Sequence, residues 1–392
     1  MSGGAHLTSF TGTDTVPAID WLEQYYNADA SKELIGGSVA ATEHSVACST
    51  ILDFVEKVRI NSDGSITEDE LMDLADIEYV KHLITEVYPE GIVSIVSDSF
   101  DYWNTITNTA RALKDVIMAR NGKVVFRPDT GNPVDVVVGD LKFFDYTNDK
   151  DVKNYDTAVL YAQDDLTDQV RDETPHGECG ESEPVGYFKY DNKFYRIVLD
   201  IFWNRHDKQY YYMDGVTTKE CKEVTLTPEN KGSIECLWEI FGGTVTEKSY
   251  KLLDQHVGLI YGDSITLDRA EAICQGLKAK GFASINVVYG IGSYTYQYVT
   301  RDTDQYAVKA TFAQVNGRDI NIYKKPKTGD GMKNSAFGLV AVFKNENGEL
   351  YLKDRATWEE LRNCELKHVY CDGKLLVDHK LSDIRARSNS YI

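Results

Sequence analysis

The sequence predicts an α/β fold built around a parallel β-sheet or barrel. One unit recurs along the chain: a short apolar run, then a polar or glycine-containing turn, then a helical stretch. It occurs at residues 92–101, 124–133, 257–264 and 283–293. Such βα units place parallel strands side by side, and the chemistry of these folds lies where the strands end. The pattern is interrupted between residues 145 and 230, which indicates an insertion.

The clearest strand end is at residues 124–133, where the sequence is VVFRPDTGNP. Valine and phenylalanine favour a buried strand, and Pro128 and Gly131 end it sharply. Arg127 and Asp129 lie two residues apart at this end. Because side chains alternate across a strand, residues two apart share a face. The cation and the carboxylate are therefore predicted to point into one site.

The other strand ends carry further carboxylates and a glycine turn. Asp98 and Asp101 follow one run, Asp263 follows another, and the GIGS turn at 290–293 follows a third. This turn lacks the third glycine of a dinucleotide-binding fingerprint. Open backbone N–H groups at a helix start nevertheless suit a phosphate, and Arg301 follows about two helical turns later.

A basic stretch that includes Lys309 and Lys324 is a second candidate for anion binding. It lacks the residue order of a P-loop. A solvated run of charge is the usual explanation for such a stretch. Because the whole chain carries a net charge of −20, we interpret this clustered cationic loop as a site for an anionic group.

Two N-terminal segments leave a structural and a functional interpretation open. Residues 5–10 are predicted to form a strand, followed by a turn with Asp14 and a helix over 16–26. Asp14 is either the N-cap of that helix or a site residue. Residues 36–49 hold a small-residue strand that ends beside a carboxylate at His44. A lone histidine is more often structural, but this position also suits acid–base chemistry.

The insertion is acidic, rich in tyrosine and strand-like in pattern. Residues 186–199 predict a hairpin around a short polar turn, and residues 202–212 predict two further strands. We interpret the insertion as a small antiparallel sheet with one packed face. The predicted organisation is a first barrel part at 1–144, an inserted β-rich subdomain at 145–230, a second barrel part at 231–337 and a C-terminal β/α segment at 338–392.

Composition argues against several classes of protein. The chain has 392 residues, 42% of them hydrophobic, which is enough for a full core. Its net charge of −20 argues against nucleic acid or an anionic membrane surface as a general partner. Seven cysteines without a C-x-x-C pair predict a reduced cytoplasmic chain without structural zinc. Neither a signal peptide nor an apolar run long enough to span a bilayer is recognised.

Taken together, the strand-end motifs resemble those of the nicotinamide phosphoribosyltransferases, which are type II phosphoribosyltransferases. The resemblance implies an irregular α/β barrel with an inserted antiparallel β subdomain and a partial β domain, working as a homodimer. It implies that nicotinamide and 5-phosphoribosyl-1-pyrophosphate give nicotinamide mononucleotide and pyrophosphate in NAD salvage, with Mg²⁺ and with ATP as a coupled activator. The matching stretches, in the family's order, are residues 12–16, 38–44, 96–101, 127–133, 262–263, 289–293, 300–302 and 322–326.

The resemblance implies a catalytic set of one histidine and three carboxylates. His44 would be the phosphorylatable histidine that couples ATP hydrolysis to the reaction. Asp98 would serve the pyrophosphate and the magnesium ion, and Asp129 and Asp263 would hold ribose hydroxyls. Substitution at the sugar carbon passes through an oxocarbenium-like centre, which needs positioning and charge neutralisation more than a strong base.

The resemblance also implies a substrate-binding set. In this set Arg127 and Asp14 hold the carboxamide, the 290–293 turn and Arg301 hold the 5-phosphate, and two lysines steady phosphates near the subunit interface. The members are Asp14, Ser94, Arg127, Gly290, Gly292, Ser293, Arg301, Lys309 and Lys324.

One departure from the family's pattern bears on activity. In that pattern a long segment precedes the stretch matching Gly12, and it carries a ring-stacking aromatic residue. This segment is not recognised here, so we expect activity to need a separately supplied N-terminal part. Ser293 and Tyr294 also stand where the family often has glycine. Two alternatives stay open: a non-catalytic or regulatory remnant that binds a sugar phosphate, and a nicotinate-using phosphoribosyltransferase.

Overall fold

The computed structural model describes residues 2–61, 66–173, 183–200, 202–204, 209–211, 216–262, 264–292, 309–323 and 336–389. The helices in chain order are α1 (Ser2–His6), α2 (Pro17–Tyr26), α3 (His44–Asn61), α4 (Glu68–His82), α5 (Tyr102–Asn104), α6 (Ala110–Ala112), α7 (Lys114–Met118), α8 (Pro133–Val138), α9 (Tyr155–Glu173), α10 (Pro228–Lys231), α11 (Ser233–Phe241), α12 (Leu267–Ala279), α13 (Trp358–Arg362) and α14 (Leu381–Asn389). Two π-helical turns, Leu83–Val87 and Thr105–Thr109, and one 3₁₀ turn, Ser284–Asn286, accompany them.

The strands in chain order are β1 (Ala40–Ala41), β2 (Gly91–Val96), β3 (Gly122–Arg127), β4 (Phe144–Asp145), β5 (Val185–Tyr190), β6 (Lys193–Asp200), β7 (Phe202–Asn204), β8 (Gln209–Tyr211), β9 (Thr217–Val224), β10 (Gly243–Val245), β11 (Lys251–Leu253), β12 (Val257–Tyr261), β13 (Val287–Tyr289), β14 (Phe312–Val315), β15 (Arg318–Asn321), β16 (Ala341–Lys344), β17 (Leu350–Lys353), β18 (Tyr370–Cys371) and β19 (Lys374–Leu375).

A five-stranded parallel sheet forms the centre of the larger unit, in the order β1-β2-β3-β12-β13. Val93 pairs with Val124, and Leu259 pairs with both Phe126 and Val287. These five side chains share one face of the sheet and are at most 5% exposed, so this face is covered by packed helices. The predicted strands of the first three βα units are confirmed. In the fourth unit the strand is shorter than predicted, because residues 284–286 form a 3₁₀ turn before β13. Closure of the sheet into a barrel stays a prediction.

Helices α3 and α4 pack on this sheet. Ile51 of α3 and Leu71 and Tyr79 of α4 belong to the same buried cluster as the strand residues. The start of α4 is fixed by a capping box. The Thr67 hydroxyl accepts the backbone N–H of Glu70, and the Glu70 carboxylate accepts the backbone N–H of Thr67.

The insertion forms its own unit with a separate core. Strands β4, β5, β6 and β9 make a four-stranded sheet, and α9 packs on it. The predicted hairpin is confirmed, because β5 and β6 are joined by Asp191 and Asn192. Both turn residues have positive φ angles, 47° and 60°, which a two-residue turn of this hand requires. The two predicted strands that follow are β7 and β8, which pair with each other.

Helix α9 contradicts the prediction that the whole insertion is strand-like. Its buried residues Ala158, Ala162 and Leu166 recur every four positions, which is helical spacing. Aspartates and tyrosines between them concealed this period in the sequence.

The predicted strand at residues 5–10 was also wrong. The chain instead forms the short helix α1, which packs against α2. A Cβ on Gly4 would lie 2.6 Å from the Trp21 ring, so the absence of a side chain there permits the contact. The helix predicted at 16–26 is confirmed as α2.

The remaining strands form small antiparallel pairs, β10–β11, β14–β15, β16–β17 and β18–β19. The described residues therefore form a mixed α/β protein with one parallel sheet and several antiparallel sheets. Within the same residues, we find no helix that combines the length and the apolar character needed to cross a membrane.

Candidate active site

The carboxyl ends of the parallel strands bring several predicted site residues to one edge of the sheet. Thr42 follows β1, Asp98 follows β2, Asp129 follows β3, Gly262 follows β12 and Gly290 follows β13. Neighbouring parallel strands all end on the same side, so these positions lie in a row.

His44 is the first residue of α3 and lies between two of the predicted carboxylates. Its Nε2 is 3.3 Å from Asp129 Oδ2 and 3.8 Å from Asp98 Oδ1. Glu43, directly before it, caps the helix by accepting the backbone N–H groups of Ser45 and Val46 at 2.8 and 3.3 Å. The sequence thus brings His44, Asp98 and Asp129 together as predicted, although 85 residues separate the histidine from Asp129.

Asp98 holds the turn that carries Asp129. It is fully buried, and its Oδ2 accepts the backbone N–H of Asp129 at 3.1 Å and the Thr130 hydroxyl at 2.7 Å. Asp129 itself is partly exposed, with 29% of its side-chain surface accessible. The buried carboxylate therefore positions the exposed one.

Arg127 connects three strand ends. Its guanidinium Nη2 donates to the Thr42 carbonyl at 2.7 Å, its backbone N–H donates to Ser97 Oγ at 3.3 Å, and its carbonyl accepts the Ser97 N–H at 3.0 Å. The ends of β1, β2 and β3 are thereby joined, and the guanidinium lies at the same edge as the carboxylates.

Ser94 lies inside β2 and is 2% exposed. Its carbonyl accepts the Thr42 N–H at 3.0 Å. Among the described residues its hydroxyl has no hydrogen-bond partner. A buried hydroxyl in this condition is available to a ligand or a water molecule.

Asp14 occupies an exposed loop beside the segment that leads into β1. Its Oδ1 accepts the Ser38 hydroxyl at 2.6 Å, and the loop is tied to Gly37 by two backbone hydrogen bonds. Within the part of the chain that the structure describes, no hydrogen bond joins Asp14 to Arg127. The two residues predicted to share the carboxamide are therefore connected through the β1 segment rather than directly.

Two glycines allow the strand ends to approach closely. A Cβ on Gly262 would lie 2.8 Å from Asp129 Oδ1, and a Cβ on Gly290 would lie 2.8 Å from the Cα of Gly262. The Gly290 N–H donates to the Tyr261 carbonyl at 2.7 Å, and Gly292 follows on the exposed surface. The predicted glycine turn thus begins at the same edge as the carboxylates.

The hairpin β14–β15 packs against α3 through a small cluster of Cys48, Ile320 and Ile322. At its open end Tyr323 contacts the ring of Phe100, with centroids 5.5 Å apart. Phe100 lies two residues after Asp98. Lys309 is exposed and precedes the first strand of this hairpin, so the start of the predicted basic stretch leads into the hairpin that contacts the turn after β2.

Four predicted site residues lie outside the described residues: Asp263, Ser293, Arg301 and Lys324. Their assignments stay predictions.

A buried carboxyl lies behind the site on α4. Asp76 accepts the hydroxyls of Thr105 and Thr109 at 2.9 and 2.7 Å, and both threonines belong to the π-helical turn Thr105–Thr109. Burial raises the pKa of Asp76 to about 6; the two hydroxyls oppose the shift, and the neighbouring Asp73 and Asp101 add to it. The cluster therefore carries negative charge in a poorly solvated place.

Sequence reasoning missed four residues that shape this edge: Thr42, Ser97, Thr130 and Tyr261. Thr42 and Thr130 lie inside recognised motifs, so their positions could have indicated that they belong to the site. Ser97 precedes Asp98 directly. Tyr261 ends an apolar run and carried no signal, because an aromatic residue there is typical of a core position.

The fold and this edge define an α/β protein with a polar site at the carboxyl ends of its parallel strands. The sequence model of the nicotinate phosphoribosyltransferase (NAPRTase) family matches residues 1–168 and 214–374. The chain belongs to this family. Every predicted site residue named above falls inside the matched ranges.

Curated relatives carry the name nicotinamide phosphoribosyltransferase. The protein of Acinetobacter baylyi is 39% identical over 393 residues, covering 99% of this chain and 57% of the relative. The protein of Mycoplasma pneumoniae is 28% identical over 337 residues, 85% of this chain and 48% of the relative. The protein of Xanthomonas campestris is 25% identical over 396 residues, the full chain and 59% of the relative. The chain thus spans about half to three fifths of these relatives.

Proposed function

We propose that the chain carries the transferase site of a nicotinamide phosphoribosyltransferase. The reaction joins nicotinamide to 5-phosphoribosyl-1-pyrophosphate and releases nicotinamide mononucleotide and pyrophosphate, a step of NAD salvage. The observation that carries this proposal is the group of His44, Asp98, Arg127 and Asp129 at one sheet edge, inside the residues that match the family. The names of the relatives support nicotinamide as the acceptor.

The side chains suit substitution at the sugar carbon. The bond from this carbon to pyrophosphate breaks while the ring nitrogen of nicotinamide attacks, so positive charge develops on the sugar. Asp129 is partly exposed and held by its backbone N–H, so it suits a ribose hydroxyl. Asp263 is proposed for the second hydroxyl. Fixed hydroxyls and nearby carboxylates lower the barrier by positioning and charge stabilisation.

The carboxamide is proposed to bind between Arg127, Ser94 and Asp14. The buried Ser94 hydroxyl can donate to the amide oxygen or accept from its NH₂ group. The Asp14 carboxylate can accept only from the NH₂ group. Asp14 and Arg127 are not hydrogen-bonded to each other in the described part of the structure. We propose that both residues contact the carboxamide when nicotinamide is bound.

The 5-phosphate is proposed to bind at the turn that starts with Gly290 and includes Gly292 and Ser293. The Gly290 N–H is held by the Tyr261 carbonyl, so the backbone N–H groups that follow it are proposed as the donors, and Arg301 is proposed to supply charge. Lys309 and Lys324 are proposed to steady the remaining phosphates.

The magnesium ion implied by the resemblance fits Asp98 poorly as a direct ligand. Asp98 is fully buried, and its Oδ2 already accepts two hydrogen bonds. Among the described residues no three histidine, cysteine or carboxylate side chains are placed to share a metal ion. Mg²⁺ commonly keeps waters and binds substrate phosphates, so a metal carried by the pyrophosphate needs few protein ligands.

ATP is proposed as a coupled activator, with His44 as the residue that receives its phosphoryl group. The imidazole Nε2 faces Asp129 and Asp98, which would orient the ring and stabilise it when it carries positive charge. Radiolabel from [γ-³²P]ATP is expected on the wild-type chain and not on His44→Ala.

The barrel architecture, the homodimer and the cytoplasmic location complete the proposal. Because the chain spans about half to three fifths of its relatives, the activity is also proposed to need the remaining part of their length. One observation supports an additional covering part. Large apolar side chains of the C-terminal segment are 51–63% exposed, at Leu350, Tyr351, Leu352, Tyr370 and Leu375. Contiguous apolar surface marks interfaces, and these side chains are proposed to form part of one.

The test is formation of nicotinamide mononucleotide, followed by chromatography. The purified chain is assayed alone and with a polypeptide that matches the remaining length of the Acinetobacter baylyi relative. We expect weak or no product alone and clear product from the mixture, with a complex visible by native mass spectrometry. Full activity of the chain alone would refute the need for a second part. Inactivity of the mixture would favour the non-catalytic alternative.

The family is named for nicotinate, which makes nicotinate a second candidate substrate. The same assay with nicotinate in place of nicotinamide separates the two. A higher kcat/KM for nicotinate would replace the proposed acceptor and leave the phosphoribosyl chemistry unchanged.

A further inference from the structure

Tyr261 ends β12 and is 1% exposed. Its hydroxyl donates to two carbonyl oxygens of the turn after β3, those of Thr130 at 3.1 Å and Gly131 at 2.9 Å. The single hydroxyl hydrogen is shared between them. The phenol thus spans 130 residues of sequence to reach the turn that carries Asp129.

The donors of the same turn are also held. Asp98 accepts the Asp129 N–H and the Thr130 hydroxyl, while Tyr261 supplies a donor to the next two carbonyls. The turn has an unusual backbone, because Gly131 has a φ of 92°, in the region that favours glycine. A turn of this kind keeps one conformation only when its surroundings fix it.

We propose that Tyr261 is a positioning residue of the proposed transferase reaction. It acts together with Asp98 to fix the turn and so aims the Asp129 carboxylate toward His44 and the sugar. The expected effect of Tyr261 on the reaction rate rests on the proposed function. Its effect on the conformation of the turn does not depend on that function. The proposal does not require Tyr261 to contact the substrate, so Tyr261 is a positioning residue and not a catalytic residue.

The alternative is that Tyr261 only fills the core. Its ring does belong to the large buried cluster. A phenylalanine would preserve that packing and remove only the hydroxyl. Tyr261→Phe therefore separates the two roles.

Tyr146→Phe is the matched control. Tyr146 is 5% exposed, its hydroxyl donates to Asp165, and it belongs to the separate core of the insertion. The Tyr146→Phe variant therefore also removes one hydrogen-bonded hydroxyl from a buried tyrosine, but this tyrosine lies in the core of the insertion and not beside the Asp129 turn.

The first measurement is hydrogen exchange of the peptide spanning residues 126–134. Losing one hydrogen bond raises the opening equilibrium by about threefold to tenfold. We expect exchange to increase by this factor in Tyr261→Phe and to stay at the wild-type rate in Tyr146→Phe. Unchanged exchange in Tyr261→Phe would overturn the proposal, whether or not the protein is active.

The second measurement is steady-state kinetics of the assembly that makes nicotinamide mononucleotide. We expect Tyr261→Phe to lower kcat about threefold to tenfold and to leave the KM for nicotinamide within about twofold. An unchanged kcat together with faster exchange would also overturn the positioning role. If the wild-type assembly forms no product, the proposed function fails, and the exchange data alone decide whether Tyr261 fixes the turn.

Discussion

The parallel-sheet unit and the insertion bury different kinds of side chain. At the carboxyl edge of the parallel sheet and in the segment directly after it, several polar residues are at most 4% exposed: Ser94, Ser97, Asp98, Ser99, Thr105, Thr109 and Thr130. In the described residues of the insertion, Thr167 is the one buried residue among the serines, threonines, amides and charged residues, and its hydroxyl donates to the carbonyl four residues back in its own helix.

Charges in the insertion lie on its surface instead. Lys193 pairs with Glu223 at 2.7 Å with about half of each side chain exposed. Exposed pairs contribute little to stability, whereas buried polar groups cost stability unless each is bonded. The parallel-sheet unit therefore accepts more of these costs than the insertion does, where the hydroxyl of Thr147 is a buried polar group without a partner among the described residues. Such costs are expected where residues are placed for chemistry.

The largest expected effect concerns the two apolar cores. Ile197→Ala in β6 and Ile95→Ala in β2 each remove a fully buried side chain, and each should lower the free energy of unfolding by about 2–5 kcal/mol. Only Ile95→Ala should also lower kcat/KM, because Ile95 lies in β2, which leads to Asp98. Urea unfolding and product assays on both variants measure this. An equal loss of activity in Ile197→Ala would show that the insertion supports the site.

Removal of a ribose carboxylate should have the next largest effect. Asp129→Ala loses hydrogen bonds that hold the sugar for attack. We expect kcat/KM to fall by an amount that corresponds to a loss of roughly 2–4 kcal/mol in transition-state stabilisation. Asp263→Ala should behave similarly. Glu223→Ala, on the surface of the insertion, is the control and should leave kcat/KM unchanged. Wild-type turnover in Asp129→Ala would place the site elsewhere.

The buried carboxyl of Asp76 should reduce stability near neutral pH. Its pKa is raised from 3.8 to about 6, so between these values the folded protein binds more protons than the unfolded chain. The free energy of unfolding therefore falls as pH rises through this window, and the full cost persists above pH 6. Asp76→Asn keeps an oxygen for both threonine hydroxyls and should stabilise the protein by about 1–3 kcal/mol at pH 7.

Urea unfolding at pH 7 and at pH 4.5 checks this prediction, because the difference between variant and wild type should shrink at the lower pH. Glu220→Gln in the insertion is the contrasting control. The pKa of exposed Glu220 is lowered by the hydrogen bond from Lys222, so its small contribution has the opposite sign. A constant difference for Asp76→Asn at both pH values would contradict the assigned protonation.

Local patterns predicted much of the parallel-sheet unit and less of the insertion. The βα runs and the hairpin turn at Asp191 each depend on neighbours within a few residues. Helix α9 was missed because its short apolar side chains are embedded among aspartates and tyrosines. The bonds of Tyr261 to the Asp129 turn could not be predicted, since sheet order rather than local pattern brings residues 130 apart together.

The smallest expected effect concerns the choice between an amide and an acid. We expect the insertion to contribute nothing to this choice, since the three proposed carboxamide residues, Asp14, Ser94 and Arg127, belong to the unit with the parallel sheet. A carboxylate at Asp14 accepts from the NH₂ group of nicotinamide but repels the carboxylate of nicotinate. We expect kcat/KM to favour nicotinamide by more than tenfold, about 1.4 kcal/mol or more.

The variant Asp14→Asn tests where this preference arises. An asparagine amide can accept from one ligand and donate to the other, so the ratio of the two kcat/KM values should fall toward one. Asp20→Asn, an exposed carboxylate of the following helix α2, controls for the loss of one charge near the same segment and should keep the wild-type ratio. The bond from Ser38 to Asp14 predicts a further, weaker effect: Ser38→Ala frees the carboxylate and should change the ratio less than Asp14→Asn does. Equal rates with both substrates in the wild-type protein would remove Asp14 from the carboxamide site, because no preference would then need a carboxylate.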